Sequence, residues 1–242
     1  MLNADALQLL AKMAKSEVQV HHGKAFHIGP EGASLLKFPK IETLHVFGLT
    51  QLLNFVKASG MAKIFINVLS ETRVQLISNT LGANDEVVVY CDADFSKVYK
   101  SFPFGNQLSQ EDFIIELMSK FEQDEVRDQL LKLVSSVKAE KVRSSDDDGF
   151  SQVASMRAGT VLVKEEKVQN IWQLQTFKSF PEIEQPVIPY ILRLHQRSEE
   201  LPKFALYDCD GGEWKVKTTG KIREFCEKFI ADQGLTGKVS VL

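Results

Sequence analysis

Apolar positions along the chain alternate between a helical and an extended period. Over residues 3–15, Leu7, Leu10, Ala11 and Ala14 recur at helical spacing, and Asn3 or Asp5 stands where a cap belongs. VQVHHGKAFHIGP then places Val18, Val20, Phe26 and Ile28 in short extended runs broken by Gly23 and Gly29-Pro30, which predicts a hairpin with His21 and His27 facing across it. The helical period returns over residues 50–57, where Leu49, Leu52, Leu53 and Val56 share a face and Gly60 supplies a terminator. Three strand-like runs follow. KIFINVLS alternates Ile64, Ile66 and Val68 against Lys63, Phe65 and Asn67, TRVQLIS turns Val74 and Leu76 inward, and EVVVYCDAD follows a turn over residues 81–85. The pattern predicts an antiparallel meander with a helix packed across it.

The second half opens with two helices. Ser109 caps the first, with Asp112 three residues on, and Ile114, Leu117, Met118 and Phe121 form its expected stripe. The second, from about residue 124 to 137, carries Val126, Leu130, Leu133 and Val134, and the charged junction EQDEVRDQ is expected in solvent. The remainder reads as extended runs through Val142, Val153, Met156, Val161 and Val163, with a loop over residues 144–149. Two further strands flank a loop at residues 198–202. A turn at Asp210-Gly211-Gly212 then leads to a last helix over residues 221–231 that packs Ile222, Phe225, Phe229 and Ile230. The expected class is α+β: a meander with packed helices, a helical hairpin, then a second β-rich part ending in a helix. The expected division is 1–100 and 101–242, two parts able to share one core.

The chain has 242 residues, 44% hydrophobic and 25% charged, enough to bury a core without staples. A net charge of -3 argues against a dominant grip on nucleic acid. The three cysteines, Cys91, Cys209 and Cys226, are far apart and form no CxxC, so a reducing cytoplasm is expected. The first residues lack the marks of a secretory leader, and no run approaches the length of a membrane span.

Candidate chemistry is sparse. Asp146, Asp147 and Asp148 precede Gly149 and offer oxygen donors for a hard cation, although the run is contiguous rather than alternating as calcium loops require. Glu182 and Glu184 lie in FKSFPEIEQPVIPYILRLHQ; on an extended segment they would share a face roughly 6–7 Å apart. Pro181, Pro186 and Pro189 stiffen that stretch and keep it out of a regular central strand, so it is expected to reach out, with Phe180, Glu182, Glu184 and Pro186 available to a neighbouring subunit or partner. Asp208, Asp210, Gly211, Gly212 and Trp214 form a compact group that reads as a polar loop with an aromatic platform. Basic residues cluster at Lys132, Lys138, Lys141 and Arg143, and again at Lys215, Lys217, Lys221 and Arg223 near Trp214 and Phe225, a combination suited to single-stranded nucleic acid. Neither a nucleophile elbow nor a phosphate loop is present.

The order of motifs carries more. SQEDFII, DDDG, FPEIEQP and DGGEW, spread over residues 43–231, resemble an uncharacterised family encoded by bacteriophages and prophages, similar to the YfdQ-like family. The resemblance implies a phage protein acting in the host bacterial cytoplasm and supplies no catalytic residues. Three functions are expected in turn. The first is a non-enzymatic accessory protein that forms a homo-oligomer and binds a host factor, a defence protein or a small signalling nucleotide, with no cofactor and no membrane. The second is a nucleic-acid-binding accessory protein for phage replication or recombination. The third is a metal-dependent hydrolase built on the aspartate run with Glu182 and Glu184.

Overall fold

The computed structural model describes residues 17–21, 24–29, 32–35, 41–61, 63–81, 87–144, 152–158, 161–195 and 201–242. The predicted helix over residues 3–15, most of the turn after Leu81 and the run Asp146, Asp147 and Asp148 lie outside them. Strands β1 (Glu17–His21), β2 (Lys24–Gly29) and β3 (Gly32–Leu35) pair in order as a small antiparallel sheet. Its register sets His27 opposite Val18 and His21 opposite Lys24, so the two histidines do not face each other as expected.

The first main sheet is built from β4 (Leu44–Val46), β5 (Ile64–Ser70), β6 (Arg73–Leu81) and β7 (Val87–Asp94), with helix α1 (Leu49–Ser59) against it. β5, β6 and β7 form the predicted meander, and Ile64, Ile66, Val68, Val74, Leu76, Cys91 and Ala93 fill one buried face, as period-two alternation dictates. α1 buries the four residues that share its apolar face and stops at Gly60, whose φ of 62° is a left-handed conformation glycine adopts at little cost.

Helices α2 (Gln110–Lys120) and α3 (Glu125–Ser136) pack on a second sheet of β11 (Ile171–Gln175), β12 (Val187–His195) and β13 (Lys203–Asp208). Between them, β8 (Val137–Ser144), β9 (Gln152–Ala158) and β10 (Val161–Val168) form a separate antiparallel meander. The Ser109 hydroxyl caps α2, accepting from the Asp112 N–H at 3.1 Å and donating to its carboxylate at 2.7 Å. α2 buries Phe113 and Leu117, with Phe121 buried just past its end and Ile114 packed at the margin of the core; of the expected stripe only Met118, 58% exposed, lies away from it. The charged junction also differs from expectation. Asp124 caps α3 through the Arg127 N–H, and the Arg127 side chain is buried, donating to the Phe121 carbonyl and pairing with Asp128.

The last helix, α4 (Glu213–Asp232), begins well before residue 221. Gly212, at φ 90°, opens it, and the Asp210 carboxylate accepts from the Trp214 N–H at 2.6 Å. Its buried line runs Trp214, Thr218, Ile222, Cys226, Ile230, every fourth residue. After a left-handed Gly234, β14 (Val239–Val241) pairs parallel with β5, which completes the five-stranded order β14-β5-β6-β7-β4. Residues 213–242 thus return to the first sheet: Trp214 belongs to the second core, whereas Ile222, Cys226, Ile230 and Val239 belong to the first.

Candidate ligand-binding cleft

The proline-rich stretch is a buried stitch between the two cores. Leaving β11, the chain bonds Thr176 to the Tyr190 hydroxyl at 2.7 Å and then inserts Phe180, fully buried, and Ile183 into the first core. Gln185 holds the loop in shape. Its carbonyl oxygen accepts from the Lys178 and Ser179 N–H groups at 3.0 and 3.2 Å, and its amide donates to the Phe180 and Ile183 carbonyls at 2.8 and 3.2 Å. A buried loop needs these bonds because its backbone has no ladder partner. The Ser179 hydroxyl adds a bond to the Glu71 carbonyl in the β5–β6 turn.

That packing corrects the expected interface role for Phe180 and Pro186. Phe180 and Pro186 are buried within their own chain, so neither offers a surface. The two carboxylates do not share a site. Glu182 accepts from the Thr50 N–H at the start of α1 at 2.9 Å, and exposed Glu184 pairs with Lys221 of α4 at 2.6 Å. Tight turning at Pro181-Glu182-Ile183 breaks the extended geometry that would have aligned them.

The second basic cluster lies along α4 with its charges engaged. Lys217 pairs with Glu213 at 2.7 Å and Lys221 with Glu184, while Arg223 donates to the Leu242 carbonyl at 3.3 Å. Lys215 is the loosest, 3.6 Å from Glu71, and its side chain is 56% exposed. Of the first cluster, Lys132 lies on α3, and Lys138, Lys141 and Arg143 lie on β8. Among the described residues no three His, Cys, Asp or Glu side chains gather as a metal would need, and no helix is long and apolar enough to cross a membrane.

Where the stitch and α4 cross, a cleft of about 640 Å³ opens, within the range typical of small-ligand sites. Lys178, whose side chain is 8% exposed, lines it. The ammonium pairs with Asp208 at 2.7 Å and lies 4.6 Å from the Phe104 ring, 4.7 Å from Trp214 and 5.3 Å from Tyr190. Burial pulls the Lys178 ammonium below its ordinary range, and the hydrogen bond and charge of Asp208 offset only part of this. Burial pushes the Asp208 carboxyl up, but bonds from Lys178 and the Asp210 N–H, with the charges of Lys178 and Lys215, outweigh it and hold the group below the usual carboxylate range.

The facing wall comes from the first sheet. Glu71 and Thr72 stand at the β5–β6 turn, and Ser96 and Tyr99 follow β7. Tyr99 stacks on Phe95 at 5.3 Å, and burial, with the nearby Glu116 charge, pushes its hydroxyl up to about 12. The Gly211-Gly212 turn, Trp214 and Lys215 close the far end. The sequence group Asp210, Gly211, Gly212 and Trp214 is therefore brought together here, Asp210 as a helix cap and Trp214 as a wall. Lys178, Phe104, Tyr99 and Gln185 were missed. The one available signal was a lysine inside the apolar run TFKSF, a position that calls for a buried partner.

Neither a family model, nor a curated protein, nor a solved structure matches this chain.

Proposed function

We propose that this protein acts by binding a small planar molecule in the cleft between its two cores, as a phage-encoded accessory protein in the bacterial cytoplasm that its motif order implies. The observation that carries this reading is the cleft: open, walled by Tyr99, Phe104 and Trp214, and held in shape by the Lys178–Asp208 pair and the Asp210 cap. A wall fixed in advance lowers the ordering cost of capture. Self-assembly, expected from the proline-stiffened arm, loses that support because the arm packs into its own chain.

The test uses a neutral planar dye, Nile red, titrated into the intact protein and into Ser101→Trp, a change at an exposed residue of the cleft wall that fills the space from the rim. Saturable binding of one dye per chain, lost in Ser101→Trp with an unchanged circular dichroism spectrum, supports the reading. Dye binding that ignores the substitution refutes it.

A further inference from the structure

We infer that Lys178 is a nucleophile that captures a planar aromatic aldehyde in the cleft as an iminium ion paired with Asp208; this rests on the ligand-binding reading above. What surrounds the nitrogen sets its chemistry. Asp208, Phe104 and Trp214, at 2.7, 4.6 and 4.7 Å from the ammonium, all line the cleft, as Lys178 itself does. Tyr190, at 5.3 Å, backs it from the second core. The nitrogen therefore stands in the cleft wall, although its side chain is 8% exposed. A buried ion pair adds little net stability, because desolvation offsets its attraction. Cohesion alone thus gives no reason to set a lysine among three rings beside an open space.

An amine attacks a carbonyl only as the free base. Burial pulls the Lys178 ammonium below its ordinary range despite the bond and charge of Asp208 and the charge of Asp210, and the charge of Lys215 acts in the same direction as burial. Desolvation in an apolar pocket activates a lysine toward carbonyls. Lys215 shares the cleft without these conditions. Its side chain is 56% exposed, and its contacts are Glu71 at 3.6 Å and the Trp214 ring at 5.7 Å.

The step conserves charge at the nitrogen. The ammonium first gives one proton to water in the cleft. The Nζ lone pair attacks the carbonyl carbon, and the C=O π pair moves onto oxygen. Asp208 relays a proton from the nitrogen to that oxygen, which leaves a neutral carbinolamine. The hydroxyl takes back the first proton and departs as water while the nitrogen lone pair closes the C=N bond. One ammonium and one aldehyde have become one iminium and one water. The nitrogen is a cation before and after, so Asp208 keeps its partner, the rings keep theirs, and no buried charge is stranded. An aromatic aldehyde suits the space, since its plane matches the walls of Tyr99, Phe104 and Trp214. Its formyl hydrogen also leaves room beside a crowded nitrogen that the second substituent of a ketone would fill.

The test treats the intact protein with an equimolar amount of 2-naphthaldehyde and sodium cyanoborohydride, which reduces an iminium to a stable secondary amine, and maps the product by peptide mass spectrometry. Lys178 is expected to be labelled at least about tenfold faster than Lys215 or any other lysine, and to be slowed by saturating Nile red and by Ser101→Trp. Lys178→Arg, which keeps a cation beside Asp208 but cannot form the imine, is expected to lose the rapid adduct; its persistence there overturns the inference. Should that variant not fold, the map of the unmodified protein decides alone. Labelling spread over the exposed lysines, or labelling of Lys178 that ignores Nile red, overturns the inference, while dye binding blocked by Ser101→Trp leaves the cleft reading standing. Nile red that does not bind ends both.

Discussion

The start of α1 offers a coupled pair of substitutions whose outcome the geometry fixes in advance. Gly48 precedes the helix with φ −126° and ψ 156°, an extended conformation that any residue adopts, so its lack of a side chain has another cause. A Cβ built there would stand 2.7 Å from the Glu182 Oε1 atom, well inside contact distance. Glu182 needs that approach to accept from the Thr50 N–H, because Gly48 supplies no cap and the first turn holds no acidic residue. Glu182→Ala should therefore cost about 1 kcal/mol, the ordinary worth of a lost N-cap, and no more, since the Oε2 atom, which has no hydrogen-bond partner among the described residues, is buried at some cost in the native protein. Gly48→Ala should cost about 1–2 kcal/mol when Glu182 is present, because the carboxylate must withdraw and surrender the same bond. In the Glu182→Ala background the added methyl meets no carboxylate, and its cost should fall to nearly zero. The expected coupling is about 1–2 kcal/mol, read from urea midpoints of the four proteins with unchanged slopes. Additivity within about 0.4 kcal/mol would refute the reasoning, as the two residues would then not share one bond.

Other outcomes follow from the same geometry. Gln185→Ala strips the acceptor from two buried N–H groups and the donor from three carbonyls, and should cost about 2–4 kcal/mol in urea unfolding; a loss under 1 kcal/mol would mean water replaces the amide. Burial pushes the Cys91 and Cys226 thiols up to about 11 and about 12, so iodoacetamide at pH 8 should label Cys209 alone in the folded protein and all three thiols after denaturation, counted by mass. For Asp92 and Asp208, burial raises the carboxyl, but Arg73 with Gln75, and Lys178 with the Asp210 N–H, pull each net below its ordinary value. A depressed folded pKa adds stability above the unfolded value of about 3.9 that is lost as pH falls through the folded one, so urea midpoints should drop below about pH 4, and less steeply in Asp208→Asn. The Tyr99 hydroxyl is buried with no hydrogen-bond partner among the described residues, and Tyr99→Phe should leave thermal stability unchanged or raise it slightly; a loss of several degrees would point to a bond through water.

Elements whose burial has one regular period were legible. α1 and the strands β5 and β6 each bury a single face, and their apolar residues fall on it without ambiguity. α2 was legible as a helix but not at the margins of its buried face, because DFIIELM is apolar at adjacent positions. Phe113 is chosen over Met118 by rings distant in the chain: it meets Phe102 edge-on at 5.7 Å and Phe204 at 5.5 Å. The first two turns of α4 were hidden for another reason. Val216, Thr218, Thr219 and Gly220 are modest helix formers, so local preference does not announce a helix there. The turn at Gly212, the Asp210 cap and the burial of Trp214 and Thr218 override it. The site suffered most. Lys178 becomes recognisable only when Asp208, thirty residues on, and three aromatic rings close round it.

The two connectors that the sequence placed only in part are the ones that make the cleft. The stitch leaves the second sheet at Thr176, exposes the Lys178 ammonium to the cleft and ends in the first core at Phe180 and Ile183. α4 starts in the second core at Trp214 and finishes in the first at Ile230. Each therefore carries one wall group at the point where it crosses between cores, and the Ser179 bond to Glu71 ties the crossing to the β5–β6 turn. A molecule seated there touches both cores at once, so any separation of the cores would have to release it. Ligand binding and cohesion of the two halves are then one equilibrium, and a ligand at a hundred times its Kd should add about 2.7 kcal/mol to the stability of the whole chain rather than to either half.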